Sequence, residues 1–513
     1  MREEEFLINR LRDYERTDIY PFHMPGHKRL KTVREGKLDF PNPFFIDITE
    51  IDGFDNLHHP EGILKKSMEW AAGIYGADRT WYLVNGSSCG ILAAVCGCVP
   101  RGERLLMSRN CHKSVYNAVY LNQLKTSYIY PQDTAGLGIQ GGISAQDVEN
   151  MLRQYADTRA VLVVSPTYDG VVSDIGEIAE IVHRAGLPLI VDEAHGAHFR
   201  YRKEFPKSAL ELGADVVIQS VHKTLPCLTQ TAVIHIKCRH PDGGCYADAD
   251  AIERYLRIYQ SSSPSYVLMA SIEKGIFEMG KICGQDGNSQ ISVYLDSLEK
   301  LRKRLAGMRH LRLADKDIVG TSGIYDLDCT KIVVSTRGTS LDGVQLGDIL
   351  RKEFHLEMEM CGPDYVTAIT TVMDSAEGLK RLGDALMTVD ERLKVGTGNG
   401  KETEKRSKAG MQPEEKKTEA EISAGVYSQP NEAVMTISEA MDSRGCSAVL
   451  EESEGCVSGE FVYIYPPGIP ILAPGERISK RVLTVIQEYI KKGLPVQGLA
   501  DESLKTIITV KEQ

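Results

Sequence analysis

Residues 214–224, ADVVIQSVHKT, form a β-branched run that ends at Gln219-Ser220 and delivers His222 and Lys223 into a loop. A lone loop lysine is most often a solvated charge. At the carboxyl end of a strand in an open α/β sheet, where ligand sites collect, it can do more. Shielded from water it gives up its proton and attacks a carbonyl to form a Schiff base. Residues 190–198, IVDEAHGAH, bring a second apolar strand to its end at Asp192, followed by Ala194 and His195. A carboxylate there can cap a helix or pair with a protonated ring nitrogen.

An acid at one strand terminus and a lysine at a later one is the arrangement that pyridoxal 5'-phosphate (PLP) requires. The lysine holds the aldehyde carbon, and the acid keeps the pyridine nitrogen protonated so that the ring accepts electrons. A phosphate needs a cradle, and residues 81–91, WYLVNGSSCGI, supply a strand, then Gly86-Ser87-Ser88-Cys89, then a helix. Free N–H groups and the dipole at a helix start attract an anion, although small polar turns before helices also serve as plain N-caps. Ser220 adds a further hydroxyl donor. His112, in RNCHKSVYNA, offers a ring to stack on one face of the cofactor, and Ala194 is small enough to lie against the other.

These residues need a scaffold of alternating strands and helices. Apolar runs predict strands over 80–84, 104–108, 160–165, 188–192 and 215–219, with helices over 91–99 and 175–185. Buried strands with helices between them imply βαβ units and a mainly parallel sheet. From about residue 271 the texture becomes α+β: one long helical stretch over 271–307, a strand over 331–335 and a helix over 343–354. Residues 396–425, rich in Gly, Lys, Glu and Thr, bury too little to offset ordering entropy and read as a flexible linker. The expected division is an N-terminal segment (1–35), a large cofactor-binding domain (36–270), a small α+β domain (271–395), the linker (396–425) and a C-terminal α+β domain (426–513).

Composition excludes other classes. The chain has 513 residues, 42% of them hydrophobic, and a net charge of −11. That balance argues against a nucleic-acid partner, which a basic stripe would mark. No apolar run approaches the roughly 18–20 residues of a membrane span. The charged start MREEEFLINRLRDYERTD lacks a signal core, so a cytoplasmic location is expected. The 12 cysteines form no CxxC pair, so neither a disulfide framework nor a metal centre is expected. No GxGxxG follows an early strand, which argues against a nicotinamide cofactor.

The motifs PFHMPGHK (21–28), NGSS (85–88), RNCHKS (109–114), SPTYDG (165–170), VDEAHGAH (191–198) and SVHK (220–223), continued by YPPGIPILAPGE (465–476) and GLPVQG (493–498), resemble the bacterial ornithine/lysine/arginine decarboxylases. These are aspartate-aminotransferase-like, fold type I, PLP enzymes. The chain most resembles the short, Bacillus-type arginine decarboxylase form. Only about 20 residues precede PFHMPGHK, so the N-terminal wing domain of the large forms, and the ring assembly that depends on it, are not expected. The family often carries Thr where Ser87 stands, and Pro226 replaces a small residue.

The resemblance implies α-decarboxylation of a basic amino acid to its amine and CO2, with arginine favoured over lysine or ornithine. Lys223 would be the Schiff-base lysine, Asp192 the pyridine-nitrogen partner and His112 the stacking ring. Gly86, Ser87, Ser88, Cys89, Ser220 and His222 would surround the phosphate. His195 would lie near the cofactor's phenolic oxygen or the substrate carboxylate. His222 or Lys223 would return a proton to Cα. The segment SSSPSYVLMAS (261–271) would reach the neighbouring subunit's phosphate through Ser262 or Ser263, which implies a homodimer with shared sites. Glu476 and the acids Glu50, Asp52 and Asp55 are the candidates for holding the substrate's distal cation. Two alternatives stand beside this reading. One is another PLP reaction on the same fold, an aminotransferase or β-eliminating lyase with Arg337 clamping the α-carboxylate. The other is an inactive paralogue acting as a regulatory binding protein.

Overall fold

A computed structural model describes residues 7–30, 40–134, 136–240, 243–284, 289–393, 427 and 429–512. Its centre is a seven-stranded sheet: β1 (Arg79–Leu83), β2 (Arg104–Ser108), β3 (Lys125–Ile129), β4 (Thr158–Val164), β5 (Leu189–Asp192), β6 (Val216–Gln219) and β7 (Ala232–Ile236). The spatial order is β1-β7-β6-β5-β4-β2-β3. Neighbours from β6 to β3 are parallel, and β7 runs antiparallel to both β6 and β1. Strands β3 and β7 were not among the expected strands. β3 is only half apolar, and β7 carries His235 within its apolar run, so neither stands out as a continuous apolar stretch.

The helix Gly86–Cys98 follows β1 and is apolar or small on every side, as a helix buried behind a sheet must be. Two glycines let it approach closely. A Cβ on Gly90 would fall 2.5 Å from Leu83 and 3.3 Å from Ile218, and one on Gly97 would fall 2.6 Å from Ile252 of the helix Ala249–Tyr259. The helix start is thereby drawn onto the carboxyl ends of β1 and β6. The helix Ile175–Arg184 is instead amphipathic, with Asp174 accepting a cap bond from the Glu177 N–H and an apolar face of Ile178, Ala179, Ile181 and Val182 on the sheet.

The expected single helix over 271–307 is two helices, Tyr266–Gly284 and Ser289–Leu305. The turn signal that separates them is already present in GQDGN, and the expected boundary at 270 falls inside the first helix. A second, antiparallel sheet contains Arg312–Leu313, Lys331–Ser335, Tyr365–Ile369 and Met360–Cys361. The helices Gly343–Phe354 and Ala376–Arg392 accompany it. The N-terminal segment is not separate from this unit: Tyr20–Phe22 pairs in parallel with Leu356–Met358. The last part of the chain forms two three-stranded sheets and the helix Lys480–Lys491, around a core that includes Ile471, Val482, Val485 and Ile486. The 396–425 stretch lies outside the described residues. Among those described, no helix is long and apolar enough to cross a membrane.

Candidate active site

The carboxyl ends of the sheet strands open into a cavity of about 330 Å³. β5 ends at Asp192, and the short helix Val221–Thr224 after β6 presents Lys223. The loop after β2 presents His112, and the helix start after β1 presents Gly86, Ser87 and Ser88. All of these line the cavity, with Ala194, His195, Ser220 and His222. Sites read from four separate stretches of sequence thus meet in one place.

Lys223 Nζ lies 2.9 Å from His195 Nε2. Burial pushes the Lys223 pKa down, and the carboxylates of Asp192 and Glu359 oppose that shift. Asp192 is 4% exposed and accepts the Ala194 N–H at 3.1 Å. Burial raises its pKa, while the Lys223 charge lowers it. His112 caps the helix Lys113–Leu121: its Nδ1 accepts the Ser114 N–H at 3.2 Å, which places any ring proton on Nε2. Burial, then the charges of Lys223 and Lys113, depress the His112 pKa to about 3. His222 is depressed to about 4, mainly by burial, and its Nδ1 meets the Thr231 carbonyl at 2.8 Å. Three histidines around the lysine are therefore neutral at neutral pH, because His195 is also held well below its ordinary value by burial.

The residues fit a phosphorylated pyridine aldehyde. Ser220 Oγ and His195 Nδ1 are buried and have no hydrogen-bond partner. Such atoms are rare unless a ligand or water completes them. Gly86, at φ +77°, begins the helix Gly86–Cys98, whose first N–H groups have no intrahelical acceptor.

Several expected site residues are placed elsewhere. Cys89 turns into the core, its thiol donating to the Gly86 carbonyl at 3.0 Å, and burial pushes its pKa up to about 12. Its side chain does not line the cavity. Glu476 is 2% exposed and committed to a buried ion pair with Arg109 at 3.1 Å. It also accepts from Asn431 Nδ2 and the Ala473 N–H, and it does not line the cavity. Asp55 accepts the N–H groups of Asn56, Glu61, Gly62 and Leu64 and so organises the start of the helix Ile63–Tyr75. Asp52 is exposed on the same surface segment, and neither Glu50, Asp52 nor Asp55 lines the cavity of its own protomer. Ser262 and Ser263 are exposed, next to Ser261, whose N–H donates to Asn85 Oδ1 at 3.2 Å beside the phosphate loop. Arg337 pairs with Asp364 at 2.9 Å and does not line the cavity.

Two carboxylates that the sequence reading did not single out line the cavity instead. Glu359 accepts the Met24 N–H at 2.7 Å and the Tyr168 hydroxyl. Asp169 accepts the Tyr365 hydroxyl at 3.1 Å and the Thr367 hydroxyl at 3.2 Å, and burial raises its pKa to about 6. Asp169 stands within SPTYDG, so its motif was visible and its role was not. Glu359 sits between the short strands Leu356–Met358 and Met360–Cys361 with no local signal. The loop 465–469 of the C-terminal part closes one wall, where Gly468 accepts the Lys113 N–H at 2.9 Å. Gly468 has φ +80°, and a Cβ there would sit 3.3 Å from the His112 ring.

Comparison with known proteins agrees with this geometry. The family model "Orn/Lys/Arg decarboxylase, major domain" matches residues 6–341, and the model of its C-terminal domain matches 420–494. The chain is 30% identical to an arginine decarboxylase of Bacillus anthracis over 508 residues, 99% of this chain and 97% of that one. It is 31% identical to an arginine decarboxylase of Halalkalibacterium halodurans, over 96% of this chain and 94% of that one. The fold matches the solved lysine decarboxylase A of Pseudomonas aeruginosa with a TM-score of 0.71 at 19% identity, covering 96% of this chain and 81% of that one. The lysine decarboxylase LdcF of Francisella novicida gives 0.70 at 20% identity, over 89% and 73%. The fold is that of the fold type I, aspartate-aminotransferase-like enzymes. The chain belongs to the Orn/Lys/Arg decarboxylase family, a family of PLP-dependent amino-acid decarboxylases.

Proposed function

We propose that this protein binds PLP through Lys223 and removes the α-carboxyl group of a basic amino acid, arginine first among them, giving the amine and CO2. The observation that carries the reading is one cavity holding Lys223, Asp192 and His112 together with two further carboxylates, Glu359 and Asp169. When bound, the cofactor supplies an electron-withdrawing ring for the electron pair that CO2 leaves behind.

The chain's own residues do the rest. Lys223, with its pKa lowered by burial, gives up its proton more readily than a solvated lysine. Asp192, fixed by the Ala194 N–H, presents a buried negative charge to a protonated ring nitrogen. His112, held by its cap bond and backed by Gly468, offers a flat neutral face. Ser87, Ser88 and Ser220 supply donors for the phosphate, and His222 lies beside them with its ring proton given to the Thr231 carbonyl. Of the two expected acids, His222 and Lys223, Lys223 is the one to return a proton to Cα, because the single ring proton of neutral His222 is held by the Thr231 carbonyl. Glu359 and Asp169 supply negative charge for the substrate's distal cation, a task first expected of Glu476. A planar guanidinium suits paired carboxylates better than a point charge does, and the arginine decarboxylases among the relatives support the same preference. The engagement of Arg337 by Asp364 removes the residue on which an aminotransferase reading would lean.

A homodimer with shared sites belongs to the same proposal. Phe44 and Phe45 are 91% and 85% exposed, Ile51, Phe54 and Ile63 are exposed in the same segment, and His58 of that segment meets the Ser261 carbonyl at 2.7 Å. Apolar surface of that kind marks an interaction face. A cytoplasmic location is supported by the twelve unpaired cysteines. Incubation with arginine, lysine and ornithine tests the reaction: CO2 and the matching amine should appear in equal amounts, fastest with arginine. Formation of a keto acid in place of CO2 would overturn the reading.

A further inference from the structure

The amino end of β6 carries a second cluster, at the opposite end of the strand from Lys223. Asp215 immediately precedes β6 and is fully buried. His183 lies in the last turn of the helix Ile175–Arg184, and His240 follows β7. The ligating atoms of the three residues all lie within 4.8 Å of one another. His183 Nε2 is 2.9 Å from Asp215 Oδ2, and His240 Nε2 is 2.8 Å from Asp215 Oδ1.

We propose that His183, Asp215 and His240 form a binding site for a divalent transition-metal ion of the zinc class. The second contact is the telling one. Asp215 Oδ1 and His240 Nε2 face each other at 2.8 Å, yet neither makes a hydrogen bond. The His240 side chain is only 4% exposed, so bulk solvent hardly reaches it. Two buried polar atoms so placed are costly, and a cation coordinated by both relieves that cost. Two imidazoles and one carboxylate are a donor set that suits zinc rather than calcium or magnesium. The three residues leave a fourth position for water.

The surroundings are those of a ligand set held in place. The Leu189 N–H donates to Asp215 Oδ2 at 2.7 Å, orienting the carboxylate from outside. The Tyr246 ring stacks on the His183 ring at 4.1 Å and 5°, fixing its plane. A tetrahedral ion with bonds near 2.0–2.1 Å would set the donors about 3.3 Å apart, so a small rotation of each imidazole admits it. The ion would tie a helix end, the start of β6 and the turn after β7 into one corner. It would stabilise β6, the strand that leads to Lys223, without touching the chemistry. Motif spacing cannot show such a site, because its ligands come from three separate elements and include no cysteine pair.

The full-length, PLP-loaded protein, stripped with a chelator, tests this by titration with Zn²⁺ against a chromophoric chelator and with Co²⁺ followed by visible absorption. Wild type should take one tightly bound Zn²⁺ per chain and gain thermal stability. With Co²⁺ it should show tetrahedral bands without the thiolate charge-transfer band. The double variant His183→Gln/His240→Gln, which removes two of the three ligands, should lose tight Zn²⁺ binding and the thermal gain while retaining wild-type turnover. The single variant His240→Gln, which keeps the contact between His183 and Asp215, provides the same comparison if the double variant misfolds. Equal Zn²⁺ affinity in wild type and the variants, no uptake by wild type, or a thiolate band with Co²⁺ would each overturn the proposal.

Discussion

Lys223 Nζ and His195 Nε2 stand 2.9 Å apart inside the cavity, and among the described residues no carboxylate hydrogen-bonds the lysine. A buried ammonium paired directly with an acid would stay protonated and unreactive. Here the nearest partner is an imidazole that burial keeps neutral, and Asp192 acts on the lysine only through its field. The arrangement lowers the cost of a neutral amine at Lys223 while leaving Asp192 available for another cation.

Asp192→Ala should separate binding from chemistry. If the acid stabilises charge that develops in the transition state, its loss should lower turnover by about 10²–10³-fold, the scale of removing one electrostatic stabiliser. Cofactor content should fall far less. Steady-state rates beside the PLP content of the purified variant check this, and parallel losses of both would show a binding role instead.

Glu359→Gln should raise KM for arginine by about 10–100-fold, the range for losing one bond to a charged group of roughly 1.5–3 kcal/mol. The rate at saturation should change less. An unchanged KM would move the distal-cation site elsewhere, and Asp169→Asn, measured in the same way, would show whether the two acids share the task.

The ion pair between Arg109 and Glu476 predicts a stability effect rather than a substrate effect. Arg109 also donates to the Pro470 and Ile471 carbonyls, so it binds the loop before His112 to the C-terminal part. Glu476→Ala should leave a buried uncompensated charge and cost about 3–5 kcal/mol, read from urea unfolding. A rise in KM with no loss of stability would restore Glu476 to the substrate site.

The buried histidines predict a pH dependence. In the unfolded chain His112 and His222 titrate near 6.5, whereas in the folded protein they titrate near 3 and 4. Below pH 6.5 the unfolded state therefore binds more protons, and stability falls as pH drops towards those folded values. Their contribution is fully present above pH 6.5. Because Asp169 and Glu193, raised to about 6 and about 7, act in the opposite sense, the share of the two rings is read as the urea midpoint of wild type minus that of His112→Gln/His222→Gln, and this difference should decline from pH 7.5 to 5. A flat difference would mean that these rings titrate in the folded protein as they do in the unfolded chain.

Much of the site was legible because parallel strands are buried on both faces. β2, β4, β5 and β6 each appear as apolar runs, and such runs end where function begins, at Asp192 and just before Lys223. The glycine and serines after β1 were legible for the same reason. What escaped was long-range. Glu359 reaches the cavity because Tyr20–Phe22 pairs with Leu356–Met358 and brings the Met24 N–H to it. Nothing near position 359 signals that pairing. Glu476 misled because a charge in a proline- and glycine-rich loop looks exposed, and only the fold places Arg109 beside it. Cys89 misled because a helix start exposes backbone donors on one side and turns every third or fourth side chain into the core.

The most direct measurement concerns position 223. The purified protein is reduced with borohydride and digested, and its peptides are mapped by mass spectrometry. A phosphopyridoxyl adduct on the ε-nitrogen of Lys223, absent from Lys223→Ala, is the predicted result. Labelling of another lysine, or of none, would contradict the account at its centre.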